Sequence, residues 1–134
     1  MKVITNRTGL KRTFISKLRK FITQHFSSLS GTLEVVFVSD STMRRYNRRF
    51  AGKGGTTDVL AFDMGKTYVI IISVDTARKN AIYYGEKFED ELVRYVIHGI
   101  LHLMGFDHKV EHKNDRMRDM EEEKVKIWKT FYYS

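Results

Sequence analysis

Short apolar runs alternate along this chain with longer segments of helical periodicity, and this alternation limits the possible folds more than any other feature. The runs that are typical of strands are KVITNR at 2–7, LEVVFV at 33–38, VLAF at 59–62 and YVIIISV at 68–74. The segments that are typical of helices are 11–29, 40–50, 75–84, 90–104 and 117–131. We therefore predict an α+β fold, a small mixed four-stranded sheet covered by helices.

The length and the turn residues refine this expectation. A chain of 134 residues is long enough for one hydrophobic core, so we expect a single domain over residues 1–134. Met64-Gly65 lies between two predicted strands, which indicates a hairpin. Asp40 or Ser41, and later Asp75, are candidate N-caps for the helices that follow them.

Four of the five histidines lie between positions 98 and 112. His98 and His102 are four residues apart, so on a helix their side chains project from one face. Gly105 then allows the left-handed backbone that ends a helix and reverses the chain. Such a reversal would return His108 to the same point, and the spacing predicts a zincin-like helix that binds one metal ion through His98, His102 and His108.

Three imidazoles without a thiolate leave one tetrahedral position open, which is typical of catalytic rather than structural zinc. The chain has no cysteine, so a thiolate cage is excluded. We predict one Zn²⁺ per chain, with His98 also counted among the catalytic residues. Asp107 is predicted to orient a ligand imidazole, and His112 remains an alternative ligand.

The histidine spacing matches the metzincin protease pattern H-E-x-x-H-x-x-G-x-x-H at every position except one. Proteases place their general base, a glutamate, directly after the first histidine. Here that residue is Gly99. The sequence therefore disfavours a metallopeptidase and favours another hydrolytic reaction.

The segment from His98 to His108, HGILHLMGFDH, resembles the signature of the YbeY endoribonuclease family, H-G-x-L-H-L-x-G-[YF]-D-H. The segment 57–62, TDVLAF, is similar to that family's TDVLSF, and Met120 with Glu121 and Glu122 loosely resembles its closing region. The resemblance implies a zinc-dependent endoribonuclease that acts on ribosomal RNA, including the 3′ end of the small-subunit RNA, and that serves ribosome quality control.

Charge is concentrated in the first part of the chain. Of the net charge of +8, residues 1–60 contribute +9, from 12 bases and three acids, whereas residues 61–134 contribute −1, from 12 bases and 13 acids. A basic half-chain favours a polyanionic partner, because lysine and arginine displace the counterions of phosphates. A solvated surface explains the same charge equally well. With the resemblance, we expect single-stranded ribosomal RNA and the small ribosomal subunit as partners, and no DNA.

The chain departs from the family at one position with a chemical consequence. The family usually has an arginine six residues before the threonine of TDVLSF, where this chain has Ala51. We hypothesise that Arg49, with help from Lys53, supplies the missing guanidinium and stabilises the transition state. Asp58 and Asp107 are candidates for a general acid, although each also has an ordinary structural role.

One alternative from a different class stays open. The chain could be a non-catalytic, zinc-containing RNA-binding factor for ribosome assembly, and the missing arginine favours that interpretation. The sequence has no apolar run of the roughly 18 residues that a membrane span requires. With the absence of cysteine, this leads us to expect a cytoplasmic protein that does not bind membranes.

Overall fold

The computed structural model describes residues 2–52, 57–105 and 111–133, and within these ranges the side chains of Ala51 and of residues 111–115 are left out of the description. The elements in chain order are β1 (Lys2–Asn6), α1 (Arg12–His25), β2 (Thr32–Val38), α2 (Asp40–Ala51), β3 (Val59–Asp63), β4 (Thr67–Ser73), α3 (Val74–Tyr84), α4 (Phe88–Leu103) and α5 (Glu111–Tyr132). The predicted α+β class is confirmed.

The four strands form one mixed sheet in the order β1-β2-β4-β3. β1 and β4 pair in parallel with the central strand β2, and β3 pairs antiparallel with β4. The predicted hairpin between 59–62 and 68–74 is thus confirmed, and Met64 closes it by donating from its N–H to the Thr67 carbonyl at 2.8 Å.

The two faces of the sheet carry different helices. Alternate residues of a strand point to opposite faces, and Ile70 and Ile72 of β4 belong to the large core that includes α1, α4 and α5. Ile71 between them belongs to a smaller cluster in which Met43 of α2 is buried. Helices α4 and α2 therefore cover opposite faces of one sheet.

The caps of α2 and α3 differ from the sequence expectation by one or two residues. Ser39 and Ser73 are the N-caps, and they accept hydrogen bonds from the backbone N–H groups of Thr42 and Thr76. Asp40 instead accepts hydrogen bonds from the hydroxyls of Ser73 and Thr76, and so ties the two helix starts together. A tertiary contact decides this, and local propensity does not reveal it.

Helix α1 is shorter than predicted and α5 is longer. The helical pattern of α1 extended to residue 29, but the helix ends at His25 and Phe26 is its C-cap. Phe26 and Leu29 are nevertheless buried in the core, which explains why apolar spacing alone overestimated the helix. In the described ranges, none of the helices combines the length and the apolar character needed to cross a membrane.

Candidate active site

The two predicted ligands that the structure describes, His98 and His102, lie in the last turns of α4. They are one helical turn apart and project from the same face. The His98 side chain is about one-third exposed, at 31%, and His102 is exposed. Both imidazoles are therefore accessible to a small ligand from solvent.

A carboxylate from another helix holds the ring of His98. Glu121 of α5 lies with its Oε1 at 2.8 Å from His98 Nδ1. An ionised carboxylate only accepts hydrogen bonds, so in a neutral His98 ring this contact favours the tautomer with the proton on Nδ1 and the lone pair on Nε2. Metal-binding histidines commonly have this arrangement, in which a carboxylate fixes the tautomer and the ring orientation.

Arg94 holds Glu121 in turn. Its guanidinium contacts Glu91 at 3.6 Å, Glu121 at 3.4 Å and Glu122 more closely. Burial alone would lower the pKa of Arg94, but the hydrogen bonds and charges of Glu122 and Glu121 outweigh it and raise that pKa. Because its charge is shared among three carboxylates, Arg94 is placed to position Glu121 rather than to bind a substrate phosphate.

A cavity of about 500 Å³ opens beside this network, along the first half of α4, and Asp58, Glu91 and Tyr95 are among its lining residues. Glu91 is only 4% exposed. Burial raises its pKa, and the charge of Arg94 offsets part of that rise. Asn80 donates to the Tyr95 hydroxyl at 2.5 Å, and that hydroxyl donates to Glu91 at 3.5 Å.

Asp58, one of the candidate general acids, has a structural role in this cavity wall. Its Oδ1 accepts a hydrogen bond from the backbone N–H of Val59 at 2.8 Å and one from the Thr57 hydroxyl at 3.4 Å. These contacts shape the entry into β3. They leave the assignment of a general acid as a prediction.

Gly99, which replaces the protease glutamate, has a packing role. A Cβ atom built there would lie 3.0 Å from Cγ2 and 3.1 Å from Cδ1 of Ile70. The glycine lets α4 approach β4 closely, and a larger side chain at this position would displace Ile70. A glutamate at position 99, which a metzincin-type protease would need as its base, would therefore clash with Ile70.

Gly105 has the predicted left-handed backbone, with φ of 99°, and donates from its N–H to the carbonyl of His102 at 3.1 Å. The chain ends its helix here as expected. The predicted third ligand His108, the predicted orienting residue Asp107 and Lys53 all lie outside the described residues. Among the residues that are described, no three histidine, cysteine or acidic side chains are grouped to hold a metal.

The structure does not bring Arg49 together with the histidines. Arg49 is on α2, which covers the opposite face of the sheet from α4, and it lines a cavity with Arg7, Thr42, Arg45 and Tyr46. Its proposed role in the transition state therefore remains a prediction, and the placement of α2 supplies no contact in its favour.

Sequence reasoning gave no roles to Arg94 and Glu91, and it noted Glu121 only as part of a resemblance. A signal was available on α4 itself. Glu91, Arg94 and His98 have the i, i+3, i+7 spacing of one helix face, and a charged stripe that continues into a histidine pair indicates a polar site. The contact with Glu121 crosses 23 residues of sequence, and only the packing of α5 on α4 reveals it.

The fold and the paired histidines place this chain among α+β proteins that carry a histidine-bearing helix against a mixed sheet. The family model described as endoribonuclease YbeY matches residues 3–129. The chain therefore belongs to the endoribonuclease YbeY family, whose named members are hydrolytic nucleases. The resemblance inferred from HGILHLMGFDH is confirmed.

Individual relatives agree with this assignment. An endoribonuclease YbeY from Helicobacter pylori is 35% identical over 123 residues, which is 88% of this chain and 86% of the relative. One from Desulfitobacterium hafniense is 37% identical over 132 residues, covering 86% and 81%. The solution structure of TM1509 from Thermotoga maritima is similar to this chain with a TM-score of 0.65 and 26% identity, over 97% of this chain and 93% of that one.

Proposed function

We propose that this protein is a zinc-dependent endoribonuclease that cleaves single-stranded ribosomal RNA during maturation and quality control of the small ribosomal subunit. The observation that carries the proposal is the pair His98 and His102 on one helix face, with His98 oriented by Glu121 at 2.8 Å. Membership of the endoribonuclease YbeY family supports the reaction class. The excess of bases in residues 1–60 supports an RNA partner.

The chemistry of the donors fits zinc. His98 and His102 would hold the ion through imidazole nitrogens, and His108 is the third ligand that the spacing predicts. A zinc ion held by these imidazoles would supply Lewis-acid chemistry toward a phosphoryl oxygen. One ion per chain follows from a single histidine cluster.

The protein's own side chains prepare this site. Glu121 accepts a hydrogen bond from the Nδ1–H group of His98 and keeps the ring in one orientation. Arg94 restrains Glu121 by pairing with its Oε2, while Glu121 Oε1 contacts His98. We propose that Asp107 orients another ligand imidazole, as Glu121 orients His98. We place the protein in the cytoplasm, where ribosomal RNA is processed.

The test is cleavage of RNA by the purified full-length chain. A labelled single-stranded RNA and the same RNA in a duplex are incubated with the zinc-loaded protein, with and without chelator, and separated on denaturing gels. We expect cleavage of the single strand, its loss with chelator and its return with added zinc. His102→Ala should abolish cleavage.

Two other functions give different results in this experiment. A ribosome-assembly factor would hold one zinc per chain and bind the RNA without cutting it. A peptidase would degrade casein with zinc, in a manner lost in His108→Ala, and Gly99 argues against this outcome. Either result would overturn the proposed activity.

A further inference from the structure

A second groove, which we call the α2 groove, lies on the face of the sheet opposite the histidines. It consists of two adjoining cavities of about 280 and 320 Å³. Both are lined by Arg7 and Tyr46, so they lie side by side between α2 and the sheet. No residue of this groove belongs to the histidine site.

Aromatic rings form one half of the α2 groove. Phe50 is 52% exposed. Its ring stacks with Tyr46 at 5.7 Å between centroids and 27° between planes, and it meets the edge of Phe62 at 5.7 Å. An exposed ring that is supported from behind by other rings is a stacking platform for a nucleobase, and such stacking tolerates any base.

Guanidinium groups form the other half. Arg7, Arg45 and Arg49 are exposed, and none of them is paired with a carboxylate in the part of the chain that the structure describes. Arg49 lies over the Phe50 ring at 5.5 Å, and Arg45 donates to the Thr42 hydroxyl at 3.3 Å. Three cations beside an aromatic platform complement a phosphate chain rather than an apolar peptide.

One carboxylate also lines the groove. Glu34 faces it from β2 and accepts a hydrogen bond from the Thr5 hydroxyl at 3.2 Å. A carboxylate in this position can accept a further hydrogen bond from an exocyclic amino group of a base. The groove therefore combines the three contacts that single-stranded nucleic acids offer, namely base faces, base edges and phosphates.

We propose that the α2 groove binds nucleotides of the single-stranded RNA substrate that lie at a distance from the cleaved bond, with a base stacked on Phe50 and adjacent phosphates on Arg45, Arg49 and Arg7. This inference rests on the proposed ribonuclease function and deepens it. It assigns Arg49 to substrate binding instead of the transition state. Because the groove and the histidines are on opposite faces, only RNA long enough to pass around the sheet engages both.

Helix α2 offers a charge-matched control. Arg45 and Arg49 line the groove on one side of the helix, whereas Arg44 and Arg48 are also exposed but are not among its lining residues. The double variants Arg45→Ala/Arg49→Ala and Arg44→Ala/Arg48→Ala lose the same net charge. For the aromatic platform, Phe50→Leu keeps an apolar side chain and removes the ring, and Tyr83→Leu removes a ring that is 82% exposed on α3.

Binding is measured by fluorescence anisotropy with labelled single-stranded oligonucleotides of increasing length, using the zinc-loaded full chain. Phe50→Leu should raise Kd about tenfold for the longer oligonucleotides, as loss of one stacked base does. Arg45→Ala/Arg49→Ala should weaken binding and reduce the slope of log Kd against log salt by about 1.4. Each lost phosphate contact of a single strand lowers this slope by roughly 0.7, and two arginines are removed. Both controls should bind like wild type.

Cleavage kinetics separate binding from catalysis. In Phe50→Leu and Arg45→Ala/Arg49→Ala, KM for long RNA should rise, kcat should stay unchanged, and short RNAs should be cut as by wild type. A fall in kcat at saturating RNA would overturn the proposal, because it would indicate that Arg49 stabilises the transition state. Equal losses in the Arg44→Ala/Arg48→Ala control would overturn it as well, because a general basic field would then explain binding.

These experiments distinguish an error in the groove proposal from an error in the proposed ribonuclease function. If wild type cleaves RNA but the groove variants keep Kd and KM, the groove proposal is wrong and the function stands. If wild type binds RNA through the groove but never cuts it, the ribonuclease function is wrong and the binding site stands. Absence of any RNA binding by wild type would overturn both.

Discussion

His98 on α4 and Glu121 on α5 are joined by a hydrogen bond of 2.8 Å between Nδ1 and Oε1. The side chain of Glu121 is only 16% exposed, and Arg94 contacts its second oxygen at 3.4 Å. The contact thus lies at the centre of a partly buried polar network that crosses two helices. It explains how a histidine near a helix end acquires a fixed tautomer.

Glu121→Ala should weaken zinc binding by roughly 10–100-fold, since loss of a carboxylate that orients a ligand histidine has effects of this size. Competition with a chromophoric zinc chelator measures the affinity. Glu123→Ala is the control, because Glu123 is an exposed carboxylate on the same helix. Equal affinity in wild type and Glu121→Ala would show that the hydrogen bond does not support a metal ligand.

The purified protein should contain about one zinc per chain, and His102→Ala should release most of it. Elemental analysis of the dialysed protein measures this stoichiometry. Nickel or another divalent ion taken up during purification is counted in the same analysis. Full zinc occupancy in the double variant His98→Ala/His102→Ala would rule out the assigned ligands.

Gly99→Ala should destabilise the protein by about 1–3 kcal/mol, because the new methyl group overpacks against Ile70. Helix propensity opposes this effect by about 1 kcal/mol in favour of alanine. In an Ile70→Ala background the same substitution should therefore cost less or even stabilise. Denaturant unfolding of wild type, Gly99→Ala, Ile70→Ala and the double variant gives the coupling free energy between the two positions. Additive changes in the free energy of unfolding would contradict a direct contact between them.

Glu91→Gln should raise Tm at neutral pH. Burial raises the pKa of Glu91 in the folded state, so the stability linked to its neutral form is present at low pH and is lost as pH rises through that raised pKa. Glutamine keeps a neutral side chain at every pH. The gain in Tm over wild type should consequently shrink as the solution is acidified below the raised pKa.

Calorimetry or circular dichroism between acidic and neutral pH tests this dependence, with Glu123→Gln as an exposed control that loses the same charge. A lower Tm of Glu91→Gln at neutral pH would mean that the contact with Arg94 at 3.6 Å outweighs the cost of burial. That outcome would contradict a raised pKa for Glu91 in the folded protein.

Much of this protein could be predicted from local pattern. The period of apolar residues revealed the strands and helices, because burial on one face requires it. The spacing of His98 and His102 put both on one face of α4 for the same geometric reason. The hairpin at Met64-Gly65 and the reversal at Gly105 also follow from local backbone preferences.

The tertiary structure decided which of these features meet. Glu121 reaches His98 only because α5 packs on α4. Asp40 and Asp75, the predicted caps, each accept a hydrogen bond from the start of the other helix, and Ser39 and Ser73 are the caps instead. Arg49 is close in sequence to the loop that leads to β3, yet α2 lies on the other face of the sheet from the histidines. The face of the sheet that a helix covers depends on how the chain connects that helix to its neighbouring strands. Closeness in the sequence does not reveal this connection.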